Sequence, residues 1–554
     1  MAADKDGGKA QGGLAARNAS MLIDLRKEPG VADVPSDICI VGAGAAGITL
    51  ARRLVQQGFS VCLLESGGLD YEEATQDLYR GANIGMPYYE LDQSRLRFFG
   101  GTVAIWGGRC ALMDPIDFVK RDWVPLSGWP IGRAELDPYY REAHKLFEVG
   151  HFNYEHDVWD ELGLADPGFR SGQLDAKLWR FDEVSERFTA SRATDMFASP
   201  NLRVLLHANV VKLQAADNAA SIDHVEVRPL DGQARKVRAS RYILACGAIE
   251  NARLLLASND VEPGGVGNRT DQVGRCFMEH PAGRIAKINA DRPYDIWALF
   301  QKRFMPSGPP LAPALRLGDA AQREHGALNS IVTFKLQRDP ARGVALGNKI
   351  YHRMVHSVAP TRRGRKLDQL YRGVRAWLHR EVRNSIERAR AGAGLTNLYV
   401  ITRGEQAPNP DSRVLLSSER DALGQPRADL DWRMTEIDKH TAKVLAQVID
   451  AEFRRLGLGS AVACDWLDDP SPQWPVDLTV GNHPIANYHQ MGGTRMSDHP
   501  SQGVVDPNCR VHGYANLYVA GSSVFTTSGW ANPTLTVSAL ALRLADHLSD
   551  RQPR

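Results

Sequence analysis

Residues 37 to 66 read D-I-C-I-V-G-A-G-A-A-G-I-T-L-A-R-R-L-V-Q-Q-G-F-S-V-C-L-L-E-S, and no other stretch constrains the fold so tightly. An apolar strand runs into a glycine turn, an amphipathic helix follows, and a second apolar strand closes the unit, which is one βαβ repeat of an α/β protein. Gly42 permits the tight turn, Gly44 lets backbone approach a pyrophosphate, and Gly47 allows helix to pack closely on strand. The helix N-terminus is thereby aimed at phosphate oxygens. Glu65 ends the second strand about 20 residues beyond the glycines, where a carboxylate accepts both ribose hydroxyls and repels a 2′-phosphate. By itself the unit fits FAD and NAD equally.

A chain of 554 residues is too long for one ordinary core, so two domains are expected, with room to bury a large cofactor. The formal net charge of +2 gives no electrostatic reason to expect nucleic acid. Seven scattered cysteines without a C-x-x-C pair suggest neither a disulfide framework nor a zinc site, and a reducing, cytoplasmic compartment suits them. Residues 1–35 lack the apolar run of a signal peptide and read as a flexible tail, and no later segment has the apolar length of a membrane span.

Further along, N-L-R-V-L-L-H-A-N-V-V-K-L at 201–213 reads as a strand, and 225–239 as a hairpin turning at Asp231-Gly232. Residues 241–258 read as a buried strand running through Cys-Gly into a helix. From 285 to 480 longer loops and Arg-rich helical periodicity take over. Within that region Leu367, Leu370, Val374, Leu378, Val382 and Ile386 recur at helical spacing with arginines between them, a basic amphipathic helix over 367–390. Its apolar stripe is expected to pack on the second domain, with an oligomer contact or an anionic surface as the alternatives.

Two segments decide between the nucleotides. R-L-R-F-F-G-G-T-V-A-I-W-G-G-R-C at 95–110 offers glycine pairs and Trp106 for packing backbone against a flat ring. Residues 516–548 supply a strand, a small-residue turn at Gly521 and Ser522, a loop with Asn532-Pro533-Thr534, and a terminal helix. With these, and with V-G-R-C-F-M-E-H-P at 273–281 and Y-H-Q-M-G-G-T-R-M at 488–496 in the same order, the chain resembles the glucose-methanol-choline family of FAD-dependent oxidoreductases from about Asp37 to its end. The likeness points to the pyranose oxidase and bacterial sugar dehydrogenase branch. Asn251, Ala252 and Asn259 depart from the family's second signature.

The resemblance implies a Rossmann-like FAD-binding domain assembled from residues 36–150, 195–285 and 481–554. A sheet-and-helix substrate domain would then come from 151–194 and 286–480. It implies that Gly42, Gly44, Gly47 and Glu65 hold the adenosine half of FAD, that Val210 meets the adenine, that Gly101 and Thr102 lie near the isoalloxazine, and that Pro533 and Thr534 meet its pyrimidine edge. His489 matches the family's catalytic base, suited to that role by an imidazole pKa of about 6.5. Asn532 matches the group that steadies the substrate oxygen. His280, by contrast, reads as a structural histidine, and no metal site is expected.

The expected reaction is oxidation of a CH–OH group of a sugar, glycoside or sugar-like alcohol. Oxygen, a quinone or a redox protein would take the electrons, and a homo-oligomer is compatible with the sequence. Two other classes stay open here: a flavin-containing lyase of cyanohydrin type, and a silent flavin-binding subunit. Ile105 stands before Trp106 where pyranose oxidases carry a flavin-linking histidine, and isoleucine cannot form that bond. FAD is therefore expected to be non-covalent. Acid denaturation should release the yellow colour into the supernatant; colour retained on the precipitated polypeptide would contradict this.

Overall fold

The glycine-turn unit folds as its pattern dictates. Ser36–Val41 and Val61–Leu64 pair in parallel, Ile40 opposite Leu63, around helix Ala45–Gln56. Both strands are almost wholly buried, which is why they read as continuous apolar runs rather than alternating ones. This is a computed structural model, and it describes residues 21–28, 35–154, 157–184, 186–339, 361–378, 384–471, 474–477, 480 and 488–550. The unit sits at the centre of a six-stranded, all-parallel sheet. Its strands follow the order Leu22–Asp24, Leu202–Leu206, Val61–Leu64, Ser36–Val41, Ala239–Leu244 and Leu517–Val519. The terminal helix Pro533–Asp550 is tied to the first helix by Arg53, which donates to Asp546 at 2.8 Å.

A second, antiparallel sheet has seven strands, in the order Ser460–Ala463, Ala282–Asn289, Asn397–Gly404, Ser330–Gln337, Leu311–Leu317, Leu174–Phe181 and Arg109–Cys110. Its two faces differ in chemistry. Val332, Phe334, Leu398 and Val400 share one face and pack with Leu445, Ile449 and Phe453 of helix Glu436–Arg455. The register places Lys335 beside Tyr399, and Arg403 beside Ile331, on the opposite face. Buried polar contacts tie residues 114–121 to the ends of this sheet's strands and to the loop before the terminal helix. Trp530 Nε1 donates to Asp114 at 2.6 Å, Asn329 donates to Asp117 at 2.8 Å, and Arg121 pairs with Glu405, both fully buried.

Three readings of the sequence need correction. Leu22–Asp24 is not tail: it adds an edge strand beside Leu202–Leu206, because Ile23 and Leu25 have apolar side chains to bury there. Residues 1–20 and 29–34 of the expected tail lie outside the described residues. The strand expected over 201–213 is two strands. His207 takes φ +55° and turns the chain out of the parallel sheet into a three-stranded antiparallel one formed with Ile222–Arg228 and Arg235–Val237. The connection between the last two strands carries Asp231 and Gly232, as the hairpin reading requires.

Of the expected basic helix, Arg362–Leu378 and Asn384–Gly392 are helical, and residues 379–383 lie outside the described ones. Arg380, Val382 and Arg383 lie outside the described residues, as do the side chains of Arg372, Arg375 and Leu378. The stripe does not pack as expected, since Leu367, Leu370, Val374 and Ile386 are all exposed. The anchor is instead a charged one: buried Arg365 reaches Asp70 at 2.8 Å and Glu186 at 3.1 Å.

Candidate active site

A cavity of about 640 Å³ lies between the two sheets, and Gly42, Gly44, Glu65, Gly101, Thr102, Trp106, Val210, Gly521, Ser522, Asn532, Pro533, Thr534 and His489 all line it. Of the candidate residues read from the sequence, Gly47 alone stands back from its surface. The three glycines show three different requirements. A side chain on Gly42, which takes φ +105°, would meet the Ala245 carbonyl at 2.6 Å, and one on Gly47 would meet the Gly42 carbonyl at 1.9 Å. Beside Gly44 there is nothing within 4 Å, so its backbone stands open to the cavity at the start of helix Ala45–Gln56. A diphosphate fits there by close approach to backbone N–H groups at a helix N-terminus.

Glu65 is buried and holds the turn as well as facing the cavity. The backbone N–H groups of Ala43 and Gly67 donate to its two carboxylate oxygens at 3.0 and 2.8 Å. Burial raises the pKa of this carboxyl, and these bonds oppose that shift. Gly101 and Thr102 begin a short 3-10 turn. Gly101 takes φ +60° and faces Gly44, and the Thr102 hydroxyl accepts from Leu96 N–H at 3.1 Å. Asn251, one of the departures from the family pattern, has a clear task. Its carbonyl accepts from Cys246 N–H at 2.9 Å and its amide donates to Ser523 at 2.9 Å, joining the first residues of helix Ala248–Ala257 to the Gly521-Ser522 turn.

The histidine loop lies against that same turn. Gly492 N–H donates to the Ser522 carbonyl at 3.1 Å, Thr494 N–H to the Ser523 carbonyl at 3.0 Å, and the Ser522 hydroxyl to the Gln490 carbonyl at 2.6 Å. Gly492 takes φ +74°, and a side chain on it would strike the Cys276 carbonyl at 1.9 Å. Its smallness therefore serves packing against the 273–281 segment. Met278 and Met491 form the backbone bridge that completes this seam.

His489 and Asn532 line the cavity, and His280 meets His489 from behind it. Asn532 Nδ2 is 3.1 Å from His489 Nε2, and His489 Nδ1 is 2.8 Å from His280 Nδ1. An amide N–H donating to Nε2 requires a lone pair there, so the His489 proton sits on Nδ1 and is donated to His280. His280 then carries its own proton on Nε2, which faces the Ser528 carbonyl at 3.4 Å. Burial, followed by His280, Arg403 and Arg109, holds the His489 pKa well below the ordinary imidazole value. His280 is drawn down to about 4, mainly by burial. Both rings are neutral at physiological pH. Tyr488 stacks on Tyr89 at 3.9 Å and positions the chain just before His489.

The sequence reading treated His280 as structural, whereas it touches His489 directly. The E-H-P segment was the available signal. Arg109 and Arg403 also line the cavity, and neither stood out, because Arg403 comes from a strand with no motif. The residues fit FAD: an open backbone at a helix N-terminus, a buried carboxylate close to it, and one cavity lined both by these and by His489 and Asn532.

Residues 37–265 match the family model described as FAD dependent oxidoreductase, and residues 408–541 match that of GMC oxidoreductase. The chain is a GMC oxidoreductase. It uses FAD and acts on CH–OH donors. This GMC oxidoreductase is 25% identical to 6'''-hydroxyparomomycin C oxidase of Streptomyces lividus, the match covering 94% of the chain and 93% of the relative. It is also 25% identical to the fructose dehydrogenase large subunit of Gluconobacter japonicus, over 92% and 97% of the two chains. Pyridoxine 4-oxidase from Mesorbium loti shares the fold with a TM-score of 0.52 at 16% identity, covering 93% of this chain and 100% of that one. No helix among the described residues is long and apolar enough to cross a membrane, and none of their His, Cys, Asp and Glu side chains cluster as a metal site.

Gly47→Ala forces a methyl group into the Gly42 carbonyl and should empty the nucleotide site. The purified variant is expected to lose its flavin absorbance, and retention of stoichiometric FAD would contradict this reading of the turn.

Proposed function

We propose that this GMC oxidoreductase oxidises a hydroxyl group of a sugar, glycoside or sugar-like alcohol to a carbonyl, with His489 as the base and Asn532 as the substrate-oxygen ligand. The relatives named for a paromomycin derivative and for fructose support the substrate class, and their names as oxidase and dehydrogenase favour redox chemistry over the lyase alternative. The observation that carries the reading is the pairing of His489 Nε2 with the Asn532 amide at 3.1 Å. A substrate hydroxyl that displaces this hydrogen bond donates its proton to Nε2 and accepts a hydrogen bond from the Asn532 amide.

Bound FAD supplies the hydride acceptor. His489 takes the hydroxyl proton on Nε2 while its Nδ1 proton remains held by His280, so the ring keeps its orientation as it charges. Asn532 steadies the negative charge developing on oxygen as the hydride leaves the adjacent carbon. Gly42, Gly44, Gly47, Glu65 and Val210 would hold the adenosine half of the cofactor. Gly101, Thr102, Trp106, Gly521, Ser522, Pro533 and Thr534 would enclose its ring end, with Ile105 offering no atom for a covalent link.

The domain division read from the sequence belongs to this proposal. Five of the six parallel strands and five of the seven antiparallel strands fall in the segments assigned to the FAD and substrate domains respectively. Oxygen, a quinone or a redox protein completes the cycle, and the cytoplasm is the compartment that seven free cysteines suit.

Replacing His489 by Ala should slow anaerobic flavin reduction by about 10²- to 10⁴-fold, the usual worth of a general base, with FAD retained. An unchanged reduction rate would remove His489 from the base role. The downward shift of the His489 pKa also fixes a pH profile. With its pKa held well below 6.5, the base stays neutral as pH drops from 8 to 6.5, so the reduction rate should not fall over that range; a fall centred near 6.5 would show an unshifted imidazole.

A further inference from the structure

The helix Arg362–Leu378 carries an exposed apolar stripe. Leu367, Leu370, Val374 and Trp377 all face water, Leu370 and Trp377 with exposures of 67% and 60%. At 3.6 residues per turn the four lie within about 80° of one another and follow about 15 Å of the helix. A contiguous apolar strip on a water-facing surface marks a place of interaction.

The helix is held so that this stripe points outward. Buried Arg365 reaches Asp70 and Glu186, and its guanidinium lies 5.1 Å from the centre of the Phe98 ring. Arg362 N–H donates to Asp70 at 3.1 Å, so the first turn is fixed by backbone as well. Arg365 and Val374 stand about two and a half turns apart, which sets them on opposite sides of the helix. The anchor therefore turns the stripe away from the protein.

Charge decides what the stripe meets. The helix carries six Lys or Arg and one Asp, a surplus larger than the +2 of the entire chain, so the rest of the chain is net negative. Arg362, Arg363 and Lys366 are exposed at its first turns. Two copies docked through this helix would bring like charges together, which disfavours a dimer seam. Cations beside a strip of Leu, Val and Trp match a surface that is anionic outside and apolar just beneath, the make-up of a lipid headgroup layer. Trp is suited to that boundary, because its ring is apolar and its N–H is polar.

We infer that Arg362–Leu378 lays the stripe from Leu367 to Trp377 into the headgroup layer of an anionic membrane, docking the enzyme on that surface without spanning it. Phe98, which Arg365 covers, also lines the cavity, so the docking helix is joined directly to the cavity wall. The inference goes beyond the oxidation reading and does not depend on it.

The test is vesicle flotation of the full-length FAD-loaded enzyme, with no substrate present. Vesicles of phosphatidylglycerol mixed with phosphatidylcholine should bind it at roughly tenfold or more lower lipid concentration than phosphatidylcholine alone, since each basic residue near an anionic surface contributes about fivefold. Binding should weaken as salt is raised. Leu370→Gln combined with Trp377→Gln should abolish flotation, and Arg363→Gln combined with Lys366→Gln should weaken it about tenfold or more. Both pairs are exposed, so the flavin spectrum and Tm should stay those of the wild type; if the first pair loses its flavin, the second decides.

No flotation on the anionic vesicles would overturn the inference, as would equal binding to neutral ones. Flotation that survives in the Leu370 and Trp377 variant with its flavin intact places the contact elsewhere and overturns it too. Self-association in sedimentation equilibrium that this variant removes, without vesicle binding, assigns the stripe to a second copy of the chain instead. A monomer that ignores both vesicle types assigns it to an acidic protein partner, which equally overturns the membrane reading.

Discussion

The hydrogen bond from Asn532 to His489 Nε2 is the contact on which the rest of the site depends. It fixes which nitrogen of His489 keeps a lone pair, and the second contact, to His280, fixes where the proton stays. Burial does the remaining work by disfavouring the charged imidazole. The result is a neutral imidazole whose Nε2 lone pair accepts from the Asn532 amide, the arrangement the proposed base role needs. A histidine in solution would share its proton between both nitrogens.

Three separated segments must meet to build that contact, and the packing explains how they do. The loop bearing His489 is bonded to the Gly521-Ser522 turn on one side and bridged through Met491 to Met278 on the other. His280 follows Met278 by two residues and so reaches the same point. Asn532 enters from the residue before the terminal helix, and Trp530, two residues earlier, is anchored on Asp114. Small residues where backbones touch, at Gly47 and Gly492, are what let these segments approach.

Much of this was legible in the sequence, and the pattern of success has physical reasons. The nucleotide turn constrains backbone geometry, so its glycines and Glu65 could be read from spacing. His489 and Asn532 could be matched because their motifs carry small residues forced by close packing. The misreadings have a different origin. Leu22–Asp24 is too short to show periodicity and gains its place only from a neighbour strand distant in sequence. His207 breaks a continuous apolar run by a left-handed turn that its composition does not announce. His280, Arg109 and Arg403 owe their roles to which face of a strand or segment meets the cavity, and that follows from long-range register, which one sequence does not encode locally. The exposed stripe of Leu367, Leu370 and Val374 marks the reverse case, where amphipathic spacing was present without an intramolecular partner among the described residues.

The central claim is that His489 is a neutral imidazole protonated on Nδ1, with Nε2 bare and held by Asn532. Nitrogen-15 NMR of the histidine-labelled FAD-loaded enzyme, with the His489 signals assigned by loss in His489→Asn, reads this directly. Between pH 6 and 8 the account predicts one protonated nitrogen, Nδ1, and one unprotonated nitrogen, Nε2, with the Nε2 signal shifting when Asn532 is replaced by Ala. A proton on Nε2, or an imidazolium with both nitrogens protonated, would contradict it.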